Sequence, residues 1–329
     1  MKDFERRKSQ IKNREQIPKK TRCLSPAEIT ASERAEVIGE LRQAFDKSLN
    51  FVLKVVGMSH SSYYYAVKPK EEKDLDTPVI QAIDEIRLTD PKYTKKYGYR
   101  RITDALHEQG FVVNHKRVLR IMKEHGWMAE YNNRGHRKYN SYHGTVGRIA
   151  KNLIHRRFTT DRPYQKLVAD VSEFRYGMMT QTERIYLEPV LDLFSGEVLA
   201  YNISDHPTVE FALKPLREAL DQIPALPYRT TVHTDQGFQY QHRQWRKTLK
   251  EHHVFQSMSR KATCLDNAEM ESFFSVMKAE MMDEHYDTKE SLESAMREWI
   301  EFYNNRRIKS RLKGKSPIAY RQLALQEAA

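Results

Sequence analysis

At Arg162-Pro163 the apolar residues of this chain change period, and that change fixes the kind of fold it can adopt. Upstream they recur every three or four residues, as one face of a helix requires; downstream they alternate, as a half-buried strand requires. From Arg34 to Val56 the helical series is Val37, Leu41, Phe45, Leu49, Val52 and Val55, one helix stopped by Gly57, with SHSSYYYAV starting another after a short turn. Val79 to Leu88 and Tyr99 to Glu108 read as two more, Gly110 as a stop, and Asn114 as the cap of a helix ending near Gly126. That helix, NHKRVLRIMKEHGW, turns Val118, Ile121 and Met122 inward and leaves Lys116, Arg117 and Arg120 outside, a helix-turn-helix pattern with a basic face. Downstream, KLVADVSEFRY reads as a strand, RIYLEPVLDLFSGEVLAYNIS as two around Ser195-Gly196, and TTVHTDQ as a fourth. Helices over Val209 to Gln222 and Gln241 to Glu251, the strand VFQSMS, and helices over Asn267 to Met282 and Ser291 to about Lys309 complete the order. The expected fold is α/β, a mixed sheet flanked by helices and preceded by an all-α region.

Charge divides the chain at the same place. Of 56 Lys and Arg against 44 Asp and Glu, residues 1–160 hold 33 and 19, a net +14, whereas residues 161–329 hold 23 and 25, a net −2. Residues 131–160 carry seven Lys or Arg and no acid, with Tyr131, Tyr139 and Tyr142 interleaved, which suits a surface laid along phosphates; a solvated basic linker is the plainer alternative. The expected organisation is a flexible basic arm over 1–35, a helical DNA-binding region over 36–130, a basic linker over 131–162, a catalytic core over 163–285 and a basic helical extension over 286–329. Apolar runs fall far short of the roughly 18 residues that span a bilayer, so no membrane segment is expected. The two cysteines, Cys23 and Cys264, offer neither a disulfide framework nor a thiolate zinc site. A soluble, cytoplasmic protein fits.

Three carboxylates stand where strands and a helix would bring them together: Asp170 in the first strand, Asp235 at the end of the fourth, and Glu271 one turn into the helix that follows the last. Glu269 is a rival to Glu271, but Asp266 and Glu269 form a capping-box-like pair, and Glu271 points about 200° away from Glu269 at roughly 100° per residue. Asn267 and Lys278 share the face of Glu271 and extend a polar stripe suited to nucleic acid. Clustered acids repel and desolvate badly, a conflict that divalent cations with a preference for hard oxygen ligands remove. Two such ions roughly 4 Å apart can stabilise both oxygens of an in-line phosphoryl displacement. Taken singly, each acid also has an ordinary reading: a loop cap for Asp170, an Asx turn for Asp235, a solvated helix position for Glu271. His233, on the strand face of Asp235, either supports that acid from behind or is a core histidine. Trp245, Trp299 and the run Tyr63 to Tyr65 read as packing.

At these residues the sequence resembles the insertion-sequence transposases of the IS-three family, specifically their downstream-frame product with its retroviral-integrase-like DDE core. The segments that carry the resemblance are YGYRRI from Tyr97, NHKRVLRIMKEHGW, LVADVSEF, HTDQGFQYQ, SMSRKATCLDNAEMESFFSVMKAE and FYNNRRIKSRLKGKSPIAYR, which span about residues 50 to 325. The resemblance implies a ribonuclease H-like fold in which Asp170, Asp235 and Glu271 bind two Mg²⁺ ions, with Mn²⁺ able to substitute, and a basic residue seven places after the glutamate, Lys278. It implies cleavage at element ends to free a 3′ hydroxyl, followed by transesterification into another phosphodiester. Double-stranded DNA, a homo-oligomer on that DNA, and an upstream-frame DNA-binding polypeptide are the implied partners. DNA contacts are expected from Lys278, Asn267, Arg100, Arg101, Lys116, Arg117, Arg120, Arg134, Arg137, Lys138, Arg306 and Arg307. Two departures stand out: Ala262-Thr263 replace the family's usual Gly-Asn before Cys264, and residues 1–45 hold no leucine heptad, as expected of the catalytic half alone. A catalytically silent DNA-binding regulator and a nuclease limited to hydrolysis are the two other readings.

Overall fold

A computed structural model of the chain describes residues 30–46, 48–67, 76–129, 148–261 and 263–327. Most of the expected arm over 1–35 lies outside these residues, as do Arg134, Arg137 and Lys138 of the expected linker. The chain divides between residues 75 and 76 into two compact units. The 36–130 region, expected as one helical domain, is thereby split, and its second half belongs to the unit that carries the sheet.

In the first unit, α1 (Ala31–Phe45), α2 (Leu49–Val56) and α3 (His60–Val67) close over Ala35, Ile38, Leu41, Val52, Leu53 and Tyr63. Thr30 and Glu33 cap α1 reciprocally. The single helix expected from Arg34 to Val56 is broken where Asp46 takes a left-handed φ of 46°. The apolar period runs on through the break, but Asp46 and Ser48 are residues whose side chains compete with helical backbone, and they mark the interruption. Tyr63 is buried as expected, whereas Tyr64 and Tyr65 are exposed.

The second unit begins with α4 (Asp76–Thr89), the one-turn α5 (Pro91–Thr94), α6 (Tyr99–Glu108) and α7 (His115–Glu124). Gly110 has the φ of 86° that ends a helix, and the Asn114 side chain accepts from the Lys116 amide to start α7. The sheet follows as β1 (Lys166–Ala169), β2 (Ser172–Arg175), β3 (Arg184–Asp192), β4 (Val198–Ser204), β5 (Thr231–Thr234) and β6 (Phe255–Met258). The helices among and after them are α8 (Val209–Asp221), the single turn α9 (Phe238–Gln241), α10 (Arg243–Glu251), α11 (Ala268–Met281), α12 (Lys289–Asn305) and α13 (Pro317–Glu327). β3 pairs antiparallel with β4 along one edge and with β1 and β2 in succession along the other. β1 pairs parallel with β5, and β5 with β6. KLVADVSEFRY, expected as one strand, is thus two, interrupted at Asp170-Val171.

Alternation along β1 assigns the two sides of this sheet. Val168 joins a core with Ile185, Leu187 and Leu191, helices α4 to α7, and Phe273, Met277 and Trp299 of α11 and α12. Leu167 and Ala169 face the other way, toward Ala212, Leu216, Trp245 and Leu249 of α8 and α10. Both faces are covered, which explains why β3 is buried almost throughout. This is the ribonuclease H-like arrangement, with Trp245 and Trp299 fully buried in its two cores. Among the described residues no helix is long and apolar enough to cross a membrane.

Candidate active site

The register of the central strands sets two acids side by side. Val168 of β1 lies opposite His233 of the parallel β5, so Asp170 and Asp235, each two residues further on, leave adjacent strands at the same end. Asp170 accepts from the Val171 amide at 2.8 Å and from Asn267 Nδ2 at 2.8 Å. Asp235 accepts from the Gly237 amide at 2.7 Å. Burial, and then the neighbouring Asp235 carboxylate, push the Asp170 carboxyl well above the ordinary range; burial also raises that of Asp235. Neither forms an ion pair with a Lys, Arg or His among the described residues.

Glu271 stands apart from that pair. It is exposed on the first turn of α11, acts on Asp170 less strongly than Asp235 does, and among the described residues no three His, Cys, Asp or Glu form a metal-holding group. Its helix is nonetheless aimed at the acids. Asn267, four positions earlier and hence on the same face, is the residue that touches Asp170. Asn267 was expected to meet DNA; the structure turns its amide inward instead. Its Oδ1 is buried with no hydrogen-bond partner among the described residues, an unsatisfied oxygen on the residue that touches Asp170. Two carboxylates and a spare carbonyl oxygen are the hard donors that a dication takes, so the donor set fits Mg²⁺.

The turn before α11 is held from behind. Asp266, expected as a helix cap, is fully buried and accepts from Arg260 Nε at 2.8 Å and Nη2 at 2.9 Å, Arg156 Nε at 2.9 Å and Asn152 Nδ2 at 3.0 Å. These bonds, Arg260 foremost, hold its carboxyl far below the usual range. Asp266 is pulled away from α11 because charged donors outbid the helix amide. His233 bridges Ser257 Oγ and the Asp266 carbonyl, both at 2.8 Å, tying β5, β6 and the turn together. It therefore orients the approach of α11.

One buried acid beside the pair was not anticipated. Glu188 of β3 is fully buried, accepts from the Tyr240 hydroxyl at 2.9 and 3.0 Å, and has its carboxyl raised well above the usual range by burial. A carboxylate within the apolar run IYLEPVLDLF was the available signal.

Family models match the second unit: an HTH-like domain over 74–135 and an integrase core domain over 160–264 and again over 271–325. The putative transposase InsK for insertion sequence element IS150 of Escherichia coli strain K12 is 39% identical over 289 residues, 87% of this chain and 97% of the relative. This chain belongs to the IS-three family of insertion-sequence transposases. The transposase InsF for insertion sequence IS3A of the same strain is 30% identical over 275 residues, 82% of this chain and 92% of that one. The HTLV-2 integrase catalytic core domain in complex with magnesium aligns at a TM-score of 0.36 and 16% identity, covering 48% of this chain and 97% of that one. As a transposase with an HTH-like and an integrase core domain, the chain is a DNA-binding polynucleotidyl transferase.

Several residues expected on this transposase's DNA surface are otherwise engaged. Arg307 is 3% exposed and pairs with Glu280 at 2.6 Å, and Arg101 reaches the same carboxylate at 3.3 Å. Arg117 and Arg120 both pair with Asp76 at the start of α4, at 2.7 and 2.5 Å. Arg306 pairs with Asp90 and Glu301. Lys278 lies 4.8 Å from the Phe174 ring centroid and donates to Ser172 Oγ at 2.8 Å; burial lowers its pKa. Arg100 and Lys116 are exposed. Spacing finds basic residues on a helix face but not the acids that other elements bring onto them, Asp76 to Arg117 and Arg120 and Glu280 to Arg101 and Arg307.

Proposed function

We propose that Asp170, Asp235 and Glu271 are the catalytic acids of this transposase, and that they hold two Mg²⁺ ions, or Mn²⁺ in their place, at the ends of β1 and β5. The observation that carries this reading is the registered and buried pair Asp170 and Asp235, with the Asn267 oxygen unsatisfied beside Asp170. When bound, the metal ions supply Lewis-acid stabilisation to the attacking and leaving oxygens. The protein's own part is positional. Asn267 fixes the Asp170 carboxylate, the Gly237 amide fixes that of Asp235, and the Asp266–His233 network sets the angle at which α11 delivers Glu271. Lys278, seven residues along α11, supplies positive charge near Asp170 for the DNA strand.

In the first step water attacks a phosphodiester at the element end; the new bond is from water oxygen to phosphorus, and the bond from phosphorus to the 3′ oxygen breaks, freeing a 3′ hydroxyl. In the second, that hydroxyl attacks another phosphodiester and displaces its 3′ oxygen, so one ester forms as one is lost. Holding two DNA ends at once calls for more than one copy of the chain, and an upstream-frame DNA-binding polypeptide is a further partner.

Labelled element-end duplex incubated with the full chain and Mg²⁺ or Mn²⁺ tests this. Cleaved and joined products are expected with the parent, and neither with Glu271→Gln, which keeps its fold and DNA binding. Binding without cleavage points to a regulator, and cleavage without joining to a nuclease.

A further inference from the structure

Helix α11 shows a different set of side chains to its other side. Glu269, Ser272, Phe273 and Val276, spaced three and four apart and on the face away from Glu271, line a cavity of about 320 Å³ closed by Arg101 of α6 and by residues 309–311. This volume is at the lower end of the range, roughly 300 to 1,000 Å³, typical of small-ligand sites.

Its charges are unbalanced. Arg101 and Arg307 are committed to Glu280. Lys309 and Arg311 form no ion pair among the described residues, yet they converge. Gly196 has a φ of 69°, and a Cβ placed on it would lie 2.6 Å from Arg311 Nη2 and 2.7 Å from Lys309 Nζ. Lys309 donates to the Tyr303 hydroxyl at 2.5 Å, with its Nζ 4.3 Å from that ring's centroid, and Tyr303 in turn donates to the Gly196 carbonyl at 2.8 Å. Two acids also line the cavity. Asp192 is buried and occupied by the Tyr164 and Phe194 amides and Ser195, and Glu269 lies beyond ion-pair distance of either cation.

The segment bearing these cations is fixed in place. Lys309 and Lys315 form a backbone bridge around a turn in which Lys313 and Gly314 have φ of 56° and 81°. Ser310 Oγ donates to Asp104 at 2.5 Å and Lys315 to Glu108 at 3.0 Å, seating the turn on α6. Two cations held rigidly against one glycine repel each other, a cost that a shared anion with several acceptor oxygens reverses.

We propose that Lys309 and Arg311, with Ser272 at the rim, form a phosphate-binding site on the side of α11 opposite the catalytic acids. Its occupant is a phosphate group, either a phosphodiester of a DNA strand that is not being cut or free inorganic phosphate. The DNA alternative rests on the transposase reading above; the free-phosphate alternative does not.

Two arms on the full chain separate them. In the first, affinity for a labelled duplex is measured between about 50 and 200 mM salt; Arg311→Gln and the double variant Lys309→Met, Arg311→Gln are expected to flatten the logarithmic salt dependence by about 0.9 per lost phosphate contact, while Arg311→Lys retains it. In the second, inorganic phosphate is compared with chloride at equal ionic strength, and a phosphate-specific rise in Tm is expected for the parent and not for the double variant. A flattened salt dependence identifies a DNA phosphodiester. An unchanged dependence with the phosphate-specific rise lost identifies free phosphate. If neither differs from the parent, the proposal is overturned. Arg311 is exposed, so Arg311→Gln decides alone if the double variant does not fold by circular dichroism. Should the parent itself bind no duplex, it is the DNA reading that fails, and the phosphate arm still decides this site.

Discussion

Asp170→Asn is expected to yield a protein that melts above the parent and joins no DNA. The two effects have one cause. Asp170 is buried beside Asp235, and burial together with that neighbour raises its carboxyl well above the unfolded value. A carboxyl raised on folding binds its proton more tightly in the native state. Its unfavourable contribution is therefore absent below the unfolded pKa, grows as pH climbs toward the folded one, and is fully present above it. A tenfold tightening of proton binding on folding is worth about 1.4 kcal/mol, and each kcal/mol moves Tm by roughly 2 to 4 °C for a unit of this size. An amide in the same place carries no such penalty and still offers an oxygen to the Val171 amide. The gain over the parent should thus be largest near pH 8 and shrink on acidification. Asp235, Glu188, and Asp192 at about 6 are raised as well, so the variant flattens the pH dependence without abolishing it. Mg²⁺ should raise the parent's Tm and leave that of the variant nearly unmoved. Joining should fall by roughly 10³-fold or more, since the change removes charge from the reacting centre. A variant that melts lower than the parent at pH 8, or that still joins DNA, contradicts the assignment.

What the sequence made legible is what depends on local pattern. Strand patterning put Asp235 at the end of a strand, and Asp170 within one that the structure instead breaks at Asp170-Val171, and helical spacing separated the Glu271 face of α11 from the Glu269 face. These are short-range geometries, set by two residues per strand repeat and 3.6 per helical turn. What stayed hidden depends on partners distant in sequence. Arg307 and Arg101 look like phosphate ligands until Glu280, on another helix, claims both. Asp266 looks like a cap until Arg156, 110 positions earlier, reaches it. Lys309 and Arg311 sit in a run as basic as many others, and only the turn that seats them on α6 makes them converge. The break after Phe45 was hidden differently, because apolar spacing continues undisturbed through a turn.

Arg307→Ala is expected to cost the second unit about 3 to 5 kcal/mol, the range for removing one partner of a buried ion pair. Glu280 and Arg307 are each 3% exposed, and the guanidinium meets the carboxylate through two nitrogens, at 2.8 and 2.6 Å. Burial alone would raise the Glu280 carboxyl; the charge and hydrogen bonds of Arg307, together with Arg101 and Trp299, outweigh it and leave it below the usual range. Trp299 Nε1 at 3.2 Å and Arg101 at 3.3 Å complete the site, so α6, α11, α12 and the segment after α12 meet on one anion. Truncating Arg307 leaves that anion with Arg101 at the long end of hydrogen-bonding range and no bidentate partner. Because total stabilities are only about 5 to 15 kcal/mol, a loss of this size should appear as a large drop in urea midpoint at unchanged slope. Adding Glu280→Leu should recover most of it, since an apolar pair leaves no charge to compensate. The outcome that returns Arg307 to the DNA surface is specific: full stability with weakened duplex binding and a flatter salt dependence. With the guanidinium sealed behind α11 and α12, stability should fall instead.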